Sequence, residues 1–319
     1  MGSRLGILLV LVAPVTARAQ EASARWSVRE ELRIGSRDAP DQALTRVSQV
    51  VIGPAGLMYV GQPMERMIRV FDLSGAEVRR IGRQGRGPGE LEGLTGFGFL
   101  GDTLYVSDGR LNRVTLFGSD GDVLRTFTLR SPMIDDHSPP WYLPSAPSSF
   151  QSDGTVLVLP MPPPLIVSAG AVGTAPWLRV DREGVLLDTM AWADISTRSI
   201  EIASGGRRYY SAPPFASPRL VVAAADGRGL VAIDRKPVER GPATFRVTRI
   251  GVNGDTQYVR DYEYSPVRWD VLDGSGVVQA TVQLSRRLTV QTVAGDVLVG
   301  VELDELDVPY IVRYRIAKR

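Results

Sequence analysis

The densest group of chemistry-bearing residues lies between Gly82 and Glu90, where four glycines, Pro88, Arg83, Arg86 and Glu90 share nine positions. Glycines expose backbone N–H groups, and two guanidinium groups beside them could hold a carboxylate, sulfate or phosphate. The Lys-Ser/Thr ending of a nucleotide phosphate loop is missing, and no strand–loop–helix frame surrounds the segment. The same composition suits a shaped connection, with glycines for tight bends and Arg or Glu tying the loop to its neighbours, and this is the plainer expectation. Asp108 and Arg113 flank a bend between two strand-like runs, where a structural Arg–Asp pair is expected. Arg66 occupies a comparable bend, but Gln62 stands where Asp108 would be.

Residue supply excludes several chemistries. Cysteine is absent and His137 is the one histidine, so the common zinc sites cannot be assembled. A Ser–His–Asp triad would have to use His137 in a Pro-flanked loop, and no G-x-S-x-G elbow is present to pair with it. Calcium is open on supply, because carboxylates and carbonyls suffice. Asp135 and Asp136, or Asp304, Glu305 and Asp307, could contribute, although acidic surface loops explain both groups. Met133 to Pro147 and Pro160 to Pro164 are Pro-rich and carry Trp141 and Tyr142. Exposed aromatics beside prolines make a recognition surface, or equally a cap packed over a rim.

The elements that must position these residues are strands. Runs of four to seven residues rich in Val, Leu, Ile and Tyr alternate with Gly, Asp, Asn, Ser and Pro turns. Ala193 to Gly205 is the one stretch that could form a short helix. Tyr59, Phe71 and Gly75 return 46 residues later as Tyr105, Phe117 and Gly121, so one unit is repeated. Each unit reads strand, turn, strand, Gly turn, strand, and weaker copies continue to Tyr310–Ile316. Units of this size with three or four antiparallel strands are propeller blades.

Pairing Trp26–Ile34 with Tyr310–Ile316 would complete one blade from both ends of the chain and remove two sheet edges. Second-strand segments appear near Val60, Val106, Val158, Val231 and Val299. Third-strand segments appear near Phe71, Phe117, Val180, Val247, Val271 and Val312. The mismatch, with Gly254 and Gly276 only 22 residues apart, predicts an all-β antiparallel propeller of six blades, one abbreviated. Five blades remain compatible with the count. Trp26 and Trp269 are expected between blades.

The N-terminus reads as a leader. Arg4 precedes the apolar run Leu5–Val15, and Ala17 and Ala19 offer small residues for cleavage before Gln20. The run is shorter than the ~20 residues that span a bilayer, and no later segment reaches that length. Residues 1–19 are thus expected to be removed and residues 20–319 to form a single propeller domain, periplasmic or secreted. Loss of Arg4 and Arg18 from 37 basic residues would balance the 35 acidic ones. A neutral surface argues against nucleic-acid binding through bulk electrostatics.

The stretch Ile81-Gly82-Arg83-Gln84-Gly85-Arg86-Gly87-Pro88-Gly89-Glu90-Leu91, directly after a Val-Phe-Asp-x-x-Gly hairpin, resembles the bacterial exported six-bladed β-propeller family, related to NHL repeats. Tyr105-Val106-Ser107-Asp108 with Asn112-Arg113-Val114 and Phe117 resembles an NHL blade, and Asp304–Tyr314 resembles that family's last blade. The likeness is strong over Leu57–Leu129 and the C-terminus and poor over Ser131–Ser217. Between Asp261 and Trp269 the chain is too short for the opening half of a blade that such proteins carry. The resemblance implies a propeller and brings no agreed activity. Amidating lyases of the NHL type hold zinc with several histidines, which this chain lacks. The expected role is non-catalytic binding or scaffolding of a protein, peptide or glycan in the cell envelope. A calcium-dependent lactonase-like or lyase-like enzyme is the alternative.

Overall fold

The computed structural model describes residues 8–11, 24–40, 42–127, 149–151, 153–158, 174–181, 185–194, 200–204, 207–211, 220–224, 228–236, 244–263, 268–273 and 275–318. Among them, regular structure is strand apart from one short 3-10 turn at Pro54–Gly56. The chain divides into two compact units. One comprises residues 1–128 with 263–319, the other residues 129–262.

The first unit begins with β1 (Leu8–Leu11) and β2 (Ala24–Ile34), which pair with strands far along the chain. Two antiparallel four-stranded sheets follow, each a simple meander. The first is β3 (Val50–Ile52), β4 (Met58–Gln62), β5 (Met67–Phe71) and β6 (Glu77–Ile81). The second is β7 (Leu94–Leu100), β8 (Thr103–Asp108), β9 (Arg113–Phe117) and β10 (Val123–Phe127). The anchors of the 46-residue repeat fall at matching places: Tyr59 and Tyr105 in second strands, Phe71 and Phe117 ending third strands. Gly75 and Gly121 take φ of 86° and 90° in the turns that follow, a region glycine enters without steric cost.

The second unit contains two further four-stranded meanders. One is β11 (Ser149–Phe150), β12 (Val156–Val158), β13 (Thr174–Val180) and β14 (Leu186–Asp194). After the hairpin β15 (Ile200–Ser204) and β16 (Arg207–Ser211) comes β17 (Leu220–Ala223), β18 (Leu230–Lys236), β19 (Thr244–Ile250) and β20 (Thr256–Glu263). The possible helix at Ala193–Gly205 is therefore corrected: its described ends belong to β14 and β15. The β-branched residues of Ile200-Glu201-Ile202 suit an extended pairing with β16. Leu157, Trp177, Met190, Leu230 and Ile250 form the core between these two meanders.

The first unit resumes with the hairpin β21 (Arg268–Leu272) and β22 (Val278–Gln283), then β23 (Leu288–Ala294), β24 (Val297–Leu303) and β25 (Pro309–Ala317). The terminal pairing expected from sequence is present. β2 adds antiparallel to β25 from Ser27↔Ala317 to Ile34↔Ile311 and becomes the fourth strand of the last sheet. A register shift between Glu30 and Leu32 leaves Glu31 at the break. Its carboxylate lies 3.2 Å from Arg315 Nε and 3.7 Å from Arg313 Nη2.

Apolar faces of neighbouring sheets meet in three clusters. Phe97, Leu104, Ile68 and Phe117 fill the space between the first two sheets. Val60, Phe71, Val299 and Ile311 join the first sheet to the last. Trp269, Val271, Leu298 and Val312 join the last sheet to β21–β22, with Trp26 packed partly against them. Both tryptophans thus stand between sheets, as their strand positions suggest.

The described residues hold five four-stranded antiparallel sheets of propeller-blade form, where six blades were expected. The sixth third-strand segment, at Val271, belongs to the two-stranded β21–β22. Its turn is closed by an aspartate. Asp273 Oδ1 accepts from Ser275 N at 2.9 Å, Ser275 Oγ at 2.7 Å and Val277 N at 3.0 Å. Asp72 does the same for Ser74 and Ala76 between β5 and β6. β21 and β22 form a two-stranded antiparallel hairpin across this turn. The parallel pairing of Ala24–Trp26 with Ala280–Val282 occupies the far edge of β22.

A second regularity was not legible in the composition. Third and fourth strands are cross-tied by an arginine and an acid: Arg69–Glu77, Arg179–Asp188, Arg246–Asp261 and, where β2 supplies the fourth strand, Arg315–Glu31. In the β9–β10 pair, Thr115 and Thr126 hydroxyls meet at 3.3 Å instead. The planar guanidinium can grip a carboxylate with two donors, as Arg246 does on Asp261 at 2.9 and 3.1 Å.

Candidate functional site

The Gly82–Gly93 connection between β6 and β7 is the site on which most of the sequence candidates converge. Its two ends are drawn together by Leu91 N donating to Arg83 O at 2.7 Å and Gly85 N to Leu91 O at 3.2 Å. The chain between them doubles back on Gly87, whose N–H donates to Glu90 Oε2 at 2.8 Å. Gly85 has φ of 150°, and a Cβ there would lie 2.2 Å from Glu90 Oε2. Only a glycine leaves room for that carboxylate.

Glu90 thus fills, from within the loop, one of the N–H positions that an outside anion could have used. Arg83 adds a second partner, Nε donating to Glu90 Oε1 at 2.9 Å. The Gly87 N–H and the Arg83 guanidinium hold the Glu90 carboxyl below the usual carboxylate range. Arg86 pairs with Glu92 at 3.0 Å. Both guanidinium groups remain open to solvent, their side chains 78% and 76% exposed.

Asp108 and Arg113 brace this loop from the β8–β9 hairpin, and here the expected pairing is corrected. They turn to different partners. Asp108, 1% exposed, accepts Glu92 N at 2.7 Å on Oδ2. Its Oδ1 takes Gly93 N at 3.1 Å and Arg110 N and Leu111 N at 3.0 Å. Arg113 donates to the carbonyls of Arg86 and Gly87, each at 2.8 Å, and of Glu90 at 2.5 Å. The N–H groups of Glu92, Gly93, Arg110 and Leu111 converge on one point, and the carbonyls of Arg86, Gly87 and Glu90 on another. The anion satisfies the first and the cation the second, so geometry separates them.

The first sheet shows the same device with a neutral residue. Gln62, fully buried, accepts Thr45 N at 2.9 Å and Thr45 Oγ1 at 2.7 Å on Oε1. Gln62 therefore does occupy the Asp108 position. Arg66, at φ of 55°, matches the left-handed Asn112 at φ of 49° rather than Arg113.

The remaining candidates divide simply. Trp141, Tyr142, Asp135, Asp136, His137 and the Pro-rich segments lie outside the described residues. Asp304 accepts Leu306 N at 2.8 Å and Val308 N at 3.0 Å, and these N–H groups hold its carboxyl below the usual range. With Asp304 turned to its own bend and Asp307 in the left-handed region at φ of 60°, the Asp304, Glu305 and Asp307 set does not fit a calcium cage. Among the described residues no group of three or more His, Cys, Asp or Glu is placed to hold a metal ion. No helix among them is long and apolar enough to cross a membrane.

No family model matches the chain, and no curated protein does. Solved structures with a related fold include the PQQ-bound aldose sugar dehydrogenase of Streptomyces coelicolor, 14% identical with a TM-score of 0.48 over 92% of this chain and 99% of that one. Virginiamycin B lyase of Staphylococcus aureus is 12% identical, TM-score 0.45, over 91% and 99%. The calcium-binding protein regucalcin of Agrobacterium tumefaciens is 12% identical, TM-score 0.42, over 93% and 97%. Likenesses this distant transfer neither substrate nor chemistry to this chain.

Proposed function

We propose that this chain is an exported, non-catalytic binding protein of the cell envelope or medium, built of six blades with one abbreviated. It uses the Gly82–Gly93 loop to engage a carboxylate-bearing protein, peptide or glycan. Cleavage before Gln20 releases it from its leader. The six-blade reading is supported by the Asp273 turn, which is built like the Asp72 turn between the third and fourth strands of the first sheet.

One observation carries the binding reading: Asp108 and Arg113 immobilise the loop while leaving Arg83 and Arg86 largely exposed. Exposed ion pairs such as those of Arg83 with Glu90 and Arg86 with Glu92 hold weakly, so an incoming carboxylate can exchange with either acid. Little ordering entropy is lost on binding because the backbone is already fixed.

The test is a panel of acidic peptides and uronic- or sialic-acid glycans titrated against the wild type and an R83A/R86A variant. The expected result is a ligand class bound by the wild type and weakened about tenfold or more in the variant, roughly 1.4 kcal/mol. That binding should weaken further as salt rises. Equal binding by both proteins would remove the loop from the reading. A melting point raised by calcium alone, with turnover of a lactone or ester panel, would replace the binding role with the enzymatic one.

A further inference from the structure

In the unprocessed chain the inner edge of β21 is covered. β1 pairs with it antiparallel, Leu8↔Leu272, Leu9↔Val271, Val10↔Asp270 and Leu11↔Trp269. The five complete sheets carry their own inner strands at this place, whereas β21–β22 has none. β22 cannot be extended further either, because β2 holds its other edge. The leader therefore stands in the slot of the missing second strand. Removal of residues 1–19 would uncover a row of backbone donors and acceptors on a buried strand, and such an edge is a template for another strand.

We infer that the processed protein takes an extended apolar segment of a partner polypeptide into this slot, as an added antiparallel strand beside β21. The inference rests on the export reading above, since the slot opens only when the leader leaves. The occupant's chemistry follows from what it must stand against. Trp269 and Val271, opposite Leu11 and Leu9, belong to the core cluster shared with the last sheet. A partner strand must therefore offer apolar residues at two alternate positions. The position between them stands opposite Asp270, whose carboxylate is held by Arg268 at 3.0 and 3.2 Å, so that position tolerates variation. Main-chain hydrogen bonds supply affinity and the alternate positions supply selectivity.

The experiment compares the full chain with a chain beginning at Gln20. The shorter chain retains every described core cluster and every described sheet strand but β1, since no residue of those clusters precedes Ala24. The probe is a peptide of residues 6–13 flanked by lysines, titrated by calorimetry. Two further peptides are N-methylated, one at Leu8 and Val10 and the other at Leu9 and Leu11. Alternate N–H groups of an edge strand point toward and away from the sheet, so one methylated peptide should bind like the parent and the other should lose about tenfold or more.

The full chain should bind the parent at least about tenfold more weakly than the Gln20 chain, because its tethered β1 competes at high effective concentration. Those amides of Trp269–Leu272 that point away from β22 should gain exchange protection in the Gln20 chain only when the peptide is present. No binding, equal loss or equal retention for both methylated peptides, or equal affinity of the two chains would each overturn the inference. The export reading is checked separately by N-terminal sequencing of the protein recovered from producing cells. An intact leader would sink that reading while the Gln20-chain titration still decides what the β21 edge accepts.

Discussion

Asp108 offers the sharpest test of how the loop is held. Its two carboxylate oxygens accept four backbone N–H groups, from Glu92, Gly93, Arg110 and Leu111, and the residue is almost fully buried. Asp108→Ala leaves all four donors without their acceptor at once. At about 1 kcal/mol per donor, the typical net value for a hydrogen bond and below that to a charged group because water can reach part of the loop, the loss is about 4 kcal/mol. Asp108→Asn is isosteric. One carbonyl oxygen can still serve the three donors on Oδ1, while its amide faces the Glu92 N–H donor to donor, a loss of about 2 kcal/mol. For a urea dependence of about 3 kcal/mol/M, the unfolding midpoint should fall by roughly 1.3 M for Ala and 0.7 M for Asn with unchanged slope. Hydrogen exchange supplies the local readout: the Glu92, Gly93, Arg110 and Leu111 amides should lose protection beyond the global change. An Ala variant within about 1 kcal/mol of wild type, with Glu92 and Gly93 still protected, would refute the claim that this carboxylate anchors the loop.

Other outcomes follow from the same packing. Gly229→Ala should cost at least about 3 kcal/mol or prevent folding, because φ is 92° and the added Cβ would lie 2.1 Å from the Ile250 carbonyl oxygen; an unchanged melting point would contradict that close approach. Phe117→Ala, at a site 2% exposed in the core between the first two sheets, should cost about 4 kcal/mol in urea unfolding. A chain beginning at Arg33 removes most of β2 and bares the β25 edge, so size-exclusion chromatography should show association or aggregation; a monodisperse monomer would count against closure by β2. Stability should also decline in acid. The Glu31 carboxyl is held below its usual range chiefly by its hydrogen bond from Arg315, and Asp273 chiefly by the Val277 N–H. A depressed folded value means the stabilisation is complete above the unfolded pKa, near pH ~4, and is lost as pH falls through the folded value. Denaturation midpoints measured from pH 6 to 3 should fall, and less steeply in an E31Q/D273N variant.

Much of the fold was legible without coordinates because its signals are local. Tyr59, Phe71 and Gly75 mark a second strand, a third strand and a turn needing positive φ, and their return at Tyr105, Phe117 and Gly121 reports one unit made twice. The pairing of β2 with β25 was also within reach, since two strands at opposite ends of the chain each lacked a hairpin partner, and an unpaired edge is costly. Blade count was not. Val271 carries the pattern of any third strand, and only strand pairing shows that β21–β22 stands as a hairpin beside five four-stranded sheets.

The site divides along the same line. Gly85, Arg83 and Glu90 announced a tightly bent loop by composition. That Asp108 collects N–H groups and Arg113 collects carbonyls, rather than each taking the other, depends on which backbone groups the folded loop leaves unsatisfied. The arginine cross-ties are invisible for a related reason. Arg315 and Glu31 are 284 residues apart, and only strand register brings them together. Sequence determines what each segment can be, because backbone and turn preferences act over a few residues; the tertiary structure decides which polar groups meet, because burial and register act across the whole chain.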